Sequence, residues 1–201
     1  MKLIETKSAP NPRRVRIFLA EKGIVVPAEN RDLGSLKSGD FTRINPEQRV
    51  PVLILDDGTA ICETVAICRY FEEIQPEPAL MGRGATGRAL VEMWQRRVEL
   101  GFFAYVAAAF RHKHPSMVQL EVPQFPEWGE ANKPKALEAL AKFNAQLAGS
   151  RFLAGDDYSI ADITLLVAVD FMKPARIARP EGMAHFDRWY GEVSARPSAA
   201  A

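Results

Sequence analysis

The chain has 201 residues, 47% hydrophobic and 25% charged, with a formal net charge of +1. That length fits one large domain or two small ones, and the near-neutral charge excludes the electrostatic footprint of a nucleic-acid or anionic-lipid partner. No apolar run reaches the ~18 uncharged residues of a membrane span, and Met1-Lys2-Leu3-Ile4-Glu5 lacks a secretory signal, so a cytoplasmic location is expected.

In chain order, Lys2–Thr6 reads as a short strand and Ser8-Ala9-Pro10-Asn11-Pro12 as a turn. A helix then runs from Arg13 to Lys22, with Val15, Ile17, Phe18 and Leu19 apolar and Gly23 closing it. Ala28–Leu33 is a second strand, and Phe41–Ile44 a helical turn before Asn45-Pro46. Val50-Pro51 opens an apolar strand that turns at Asp56-Asp57-Gly58 into a second, ending at Cys62; such spacing around Asp-Gly makes a hairpin. A leading proline donates no ladder hydrogen bond, and X-Pro is the bond type in which cis costs little. Glu63-Thr64 then starts a helix that runs to Ile74. The order β-α-β-α-β-β-α implies a right-handed first crossover.

Gln75-Pro76-Glu77-Pro78 stops that helix, and helical periodicity dominates beyond it. Thr86 to about Arg111 reads as one long helix with Val91, Trp94, Val98 and Phe102 on a stripe. Another runs from Trp128 to Leu147, burying Leu137, Leu140, Phe143 and Leu147. Ser159 and Asp162 have the spacing of a capping box, and the helix they open is apolar nearly all round to Phe171, which places it at the centre of the second domain. His185–Ser194 is the last helix. The expected class is α+β: a thioredoxin-like βαβαββα domain over residues 1–76, a linker over 77–83 and an all-helical domain over 84–201.

Together, the β-α-β-α-β-β-α unit, the Val50-Pro51 strand entrance, the Glu63-Thr64 pair and the Ser159-x-x-Asp162 box resemble the cytosolic glutathione transferases over nearly the whole chain, with a serine- or asparagine-type turn at Ser8-Ala9-Pro10-Asn11. The resemblance implies a homodimer. It also implies a glutathione site on the first domain and an apolar electrophile site walled by the second. Glutathione is then a co-substrate, and no cofactor or metal is expected. The activity implied is conjugation of the glutathione thiolate to small apolar electrophiles. Glutathione-dependent peroxide or disulfide reduction, or a non-catalytic binding role on the same fold, are the alternatives.

Residue by residue, the turn at 8–11 holds no cysteine, so the reacting sulfur comes from the ligand. At the start of the Arg13 helix a thiol would meet unpaired amides and the positive end of the dipole. Either Ser8 or Asn11 supplies a further donor. Glu63 suits the γ-glutamyl ammonium, and the Thr64 hydroxyl with the amides of its helix suits the carboxylate. Val50, ahead of Pro51, exchanges backbone bonds with the cysteinyl residue by strand addition. Arg49 or Lys37 faces the glycyl carboxylate. His112, ahead of His114, is the candidate proton acceptor, against a plain role in complementing a helix end. Two histidines two apart on a helix point to different faces and make a poor chelate. Tyr105, Phe110 and Trp128 are the candidate walls of the electrophile pocket. Arg13, Arg14 and Arg16 either raise the potential near the sulfur or form a solvated face, and Cys62 and Cys68 read as small buried hydrophobes.

Overall fold

In the computed structural model, which describes residues 1–201, the two ends of the chain belong to one unit. Residues 1–80 and 197–201 form the first unit, and residues 81–196 the second. The sequence pattern places 197–201 with the helices, whereas in the structure they belong to the first unit.

The first unit is built on a four-stranded sheet in the order β2-β1-β3-β4. Strand β1 is Lys2–Glu5, β2 Ala28–Asn30, β3 Val52–Ile54 and β4 Ala60–Cys62. The β1–β2 pair is parallel, while β3 runs antiparallel to β1 and to β4. Leu3 pairs with Leu53 and Ile4 with Val52, so the pleat sends one pair to each face of the sheet. Ile4 and Val52 pack with Leu36, Phe41 and Val50, where Phe41 comes from the short helix α2 (Gly39–Ile44). Helices α1 (Pro10–Glu21) and α3 (Thr64–Ile74) pack together, burying Val15, Ile17, Phe18, Ile67 and Phe71.

Lys22 ties the end of α1 to the chain after α3. Its ammonium donates to the carbonyls of Gln75 at 2.7 Å and Pro78 at 2.8 Å, and pairs with Glu72 at 2.8 Å. The C-terminal segment also holds α1: Arg13 Nη2 donates to the Ala199 carbonyl at 2.9 Å, and Ser198 Oγ to Glu21.

The second unit is helical: α4 (Gly84–Val98), α5 (Ala104–Arg111), α6 (Pro126–Leu147), α7 (Ile160–Asp170) and α8 (Ala184–Ser194). The long helix expected over 86–111 is interrupted by a π-helical stretch at Glu99–Phe103. That wider turn keeps Val98, Phe102, Phe103 and Val106 all buried, whereas Leu100 is exposed. Ile160 through Val169 are buried without exception, so α7 is the central helix, as its nearly all-round apolar surface predicts. Within α6, Leu137 is only half-buried, and Ala136 and Ala139 share the packed stripe with Leu140, Phe143 and Leu147. Gly129 lets α6 close on the residues just after α5, since a Cβ there would lie 2.9 Å from Lys113 Cγ.

Candidate functional site

Helix α1 begins three residues earlier than its apolar pattern suggests. Ala9 is its N-cap, with Pro10 and Pro12 in the first turn. Proline has no N–H, and Ala9 N–H already donates to the Thr6 carbonyl at 2.9 Å. The unpaired amides expected at the start of an Arg13 helix therefore reduce, within that turn, to the N–H of Asn11. Ser8 is exposed and Asn11 half-buried, one on each side of the N-cap.

Asn45 shapes the approach to β3. It is 4% exposed; its Nδ2 donates to the Arg49 carbonyl at 2.8 Å, and its Oδ1 accepts from Glu47 N–H at 3.1 Å. Gln48, inside that loop, sits at φ 54°. The loop delivers Val50-Pro51, whose peptide bond is cis. Val50 precedes the paired part of β3, which starts at Val52. Its side chain is in the core while its backbone lies ahead of the ladder, an arrangement suited to strand addition. Arg49 and Lys37 are exposed on this unit. Asn45 went unrecognised in the sequence, where it registers only as a turn residue before Pro46.

Past β4, Glu63 adopts φ 69°, ψ 124° as the N-cap of α3, with no side-chain capping bond. A non-glycine residue with φ in that range costs about 1–3 kcal/mol and persists only where the surroundings impose it. Its carboxylate is exposed. The first intrahelical bond is Ile67 N–H to the Glu63 carbonyl at 3.0 Å, so the preceding amides of α3 have no partner inside the helix. Thr64 follows, 6% exposed, and its Oγ1 accepts from Arg14 Nη1 at 2.6 Å.

Arg14 is no part of a solvated face: it is 1% exposed. The signal was present, because Arg14 is in helical phase with Ile17 and Phe18 on the buried side. Neighbouring Cys62 is half-buried, and burial together with the Glu63 charge pushes its thiol pKa up, which disfavours it as a nucleophile. Cys68 is fully buried.

Ser8, Asn11, Lys37, Arg49, Val50, Pro51, Glu63 and Thr64 thus all lie in the first unit. The remaining candidates belong to the helical unit. His112 Nδ1 accepts the Phe125 N–H at 3.1 Å, which places its ring proton on Nε2, 3.8 Å from Glu121. So held, the Nδ1 lone pair of His112 is engaged by the backbone, and the ring bridges the two ends of the loop between α5 and α6. His114 caps the short 3-10 turn at Pro115–Met117, its Nδ1 accepting from Ser116 N–H at 3.2 Å. Its ring stacks on Phe110 at 4.5 Å.

The three candidate wall residues fall into two groupings. Phe110 joins His114 and Phe171, with ring centroids 4.8 Å apart for the Phe110–Phe171 pair. Tyr105 and Trp128 instead flank the Lys135 ammonium, at 5.6 and 4.9 Å. In the sequence Phe171 stands out only as the end of a core helix. A surface cavity of about 740 Å³ in this unit, with Met172, Lys173, Arg176 and Tyr190 among its walls, includes none of these residues.

Known proteins share this sequence pattern and fold. Residues 9–74 match the family model for the glutathione S-transferase N-terminal domain, and residues 94–197 that for the C-terminal domain. Glutathione S-transferase 2 of Saccharomyces cerevisiae is 34% identical over 203 residues, covering 98% of this chain and 87% of the yeast protein. The crystal structure of a glutathione S-transferase domain-containing protein from Marinobacter aquaeolei superposes with a TM-score of 0.95 at 39% identity, over 98% of this chain and 99% of that one. A class Gtt2 glutathione S-transferase from Vibrio parahaemolyticus gives 0.87 at 37% identity, over 98% and 95%. The chain belongs to the glutathione S-transferase family.

Proposed function

We propose that this enzyme conjugates the glutathione thiolate to small apolar electrophiles, with the tripeptide held on the first unit. Glu63 receives the γ-glutamyl ammonium, and Thr64 with the leading amides of α3 receives the γ-glutamyl carboxylate. The Val50 backbone ahead of Pro51 pairs with the cysteinyl residue, and Arg49 or Lys37 faces the glycyl carboxylate. The observation that carries this reading is Glu63: an exposed carboxylate at φ 69° on a helix start that no side chain caps.

Activation of the sulfur falls to few groups. With prolines at 10 and 12, the donors at the start of α1 are the Asn11 N–H, the Asn11 amide side chain and the Ser8 hydroxyl, supported by the helix dipole. One hydrogen bond to a charged acceptor is worth about 1.5–3 kcal/mol, enough to lower a thiol pKa by about 1–2 units. In this reading solvent takes the proton, the Nδ1 lone pair of His112 being engaged by the Phe125 N–H. The protein contributes little covalent chemistry: it holds the thiolate and brings the electrophile to it. Tyr105, Phe110 and Trp128 are the aromatic candidates for the electrophile's apolar body. A homodimer, a detoxifying role and a cytoplasmic location go with this reading through the family alone.

Calorimetric titration with reduced glutathione and turnover of a chlorinated nitroaromatic substrate test it. Saturable binding with measurable conjugation is expected. The thiolate absorbance of the complex should then titrate at higher pH in Ser8→Ala or Asn11→Ala. A protein that neither binds glutathione nor turns over the substrate rejects the reading.

A further inference from the structure

The Thr64 hydroxyl serves the γ-glutamyl carboxylate only if its proton points that way. A hydroxyl has one proton and two lone pairs, and in a pocket open to water nothing intrinsic chooses between donating and accepting. Here the choice is imposed from behind. Arg14 is 1% exposed and its Nη1 lies 2.6 Å from Thr64 Oγ1. A guanidinium donates and never accepts, so Thr64 Oγ1 must be the acceptor of that bond. Its own proton is then turned away from the arginine. A cation bonded to the oxygen also polarises the O–H, strengthening it as a donor.

We propose that Arg14 is a positioning residue for glutathione: through Thr64, it fixes the hydroxyl as a donor to the γ-glutamyl carboxylate. This rests on the function proposed above and deepens it, because it names a residue inside the α1–α3 interface that never touches the ligand. The two helices are linked through this bond, so the end of the first unit that receives the γ-glutamyl group depends on α1 as well as α3. Buried side chains of charged type are rare without partners to justify them, and a hydroxyl at the mouth of a helix is among those of Arg14.

A double-mutant cycle read by two ligands tests the proposal. The variants are Arg14→Met, Thr64→Val and the pair; the ligands are glutathione and its analogue lacking the γ-glutamyl α-carboxylate, 4-aminobutyryl-cysteinyl-glycine. Arg14→Met is expected to raise the glutathione Kd about tenfold when Thr64 is present and less than twofold when it is valine. The analogue's Kd is expected to stay within twofold throughout. Arg14→Lys keeps a buried cation; it is expected to show the same dependence on Thr64 at about threefold, and it reads the cycle should Arg14→Met not fold. Equal weakening in the threonine and valine backgrounds, or equal weakening of both ligands, would make Arg14 a purely structural tie and overturn the proposal. Wild type that fails to bind glutathione removes the functional reading itself; wild type that binds without this coupling removes only the role of Arg14.

Discussion

Helix α7 starts with the donors around it satisfied, whereas helix α3 starts on a strained residue with its carboxylate turned to solvent. At α7, Ser159 and Asp162 close a capping box. The Asp162 carboxylate accepts from Leu153 N–H at 3.0 Å, Ser159 N–H and Oγ at 3.1 Å each, and Trp189 Nε1 at 2.9 Å. It is fully buried. At α3 the acid stands three positions earlier, as the N-cap itself, at φ 69° and with no capping bond. The same chemical type thus serves two ends. An acid that consumes all the nearby donors stabilises the fold, and one that consumes none leaves donors and charge for a ligand.

The contrast breaks if the two acids exchange phenotypes. The largest effect is expected from Asp162→Ala, which strands four buried donors; a stability loss of about 3–5 kcal/mol should appear as a sharply lowered midpoint in urea. A variant that unfolds like wild type would mean that the box is ornamental.

Acidity sharpens the same point. Burial pushes the Asp162 carboxyl up to about 6, against the lowering effect of its hydrogen-bond donors. Because the folded pKa lies above the unfolded value, the folded chain holds the extra proton across the window between them. Stability from this group is greatest below the unfolded pKa and declines as pH rises, by about 3 kcal/mol in all. Urea midpoints measured from pH 4 to pH 7 in wild type and Asp162→Asn should differ in slope, with the asparagine variant flatter.

Glu63→Ala is expected to do the reverse of Asp162→Ala. It should weaken glutathione by about 2 kcal/mol, the worth of a charge-assisted bond, while leaving the unfolding midpoint within about 0.5 kcal/mol of wild type, as for other exposed positions. The smallest change in stability belongs to Glu63→Gly. Glycine tolerates the conformation that glutamate holds under strain, so binding should fall as in Glu63→Ala with the midpoint unchanged or slightly raised. A clear drop in stability would mean that the strain had been misplaced.

Local rules made the α7 start legible, since Ser159 and Asp162 act within four residues of one another. The α3 pair was legible as a pair, and its strain was not, because a positive φ on glutamate leaves no mark in composition. Arg14 was hidden by its own chemistry: charge argues for the surface, and only its phase with Ile17 and Phe18 argued otherwise. The π-helical stretch at 99–103 escaped because apolar residues continue through it without a breaker. The role of His112 could not be read either, for its Nδ1 is occupied by Phe125, thirteen positions away across a loop that periodicity does not describe.

Lys22 carries a consequence of another kind. Its side chain is wholly shielded, and its ammonium is held by two carbonyls and Glu72. An acylating reagent that decorates surface lysines within seconds has no route to this amine while α1 and the segment after α3 stay joined. Covalent labelling at Lys22, followed by mass spectrometry, would therefore serve as a built-in clock for how often that seam comes apart.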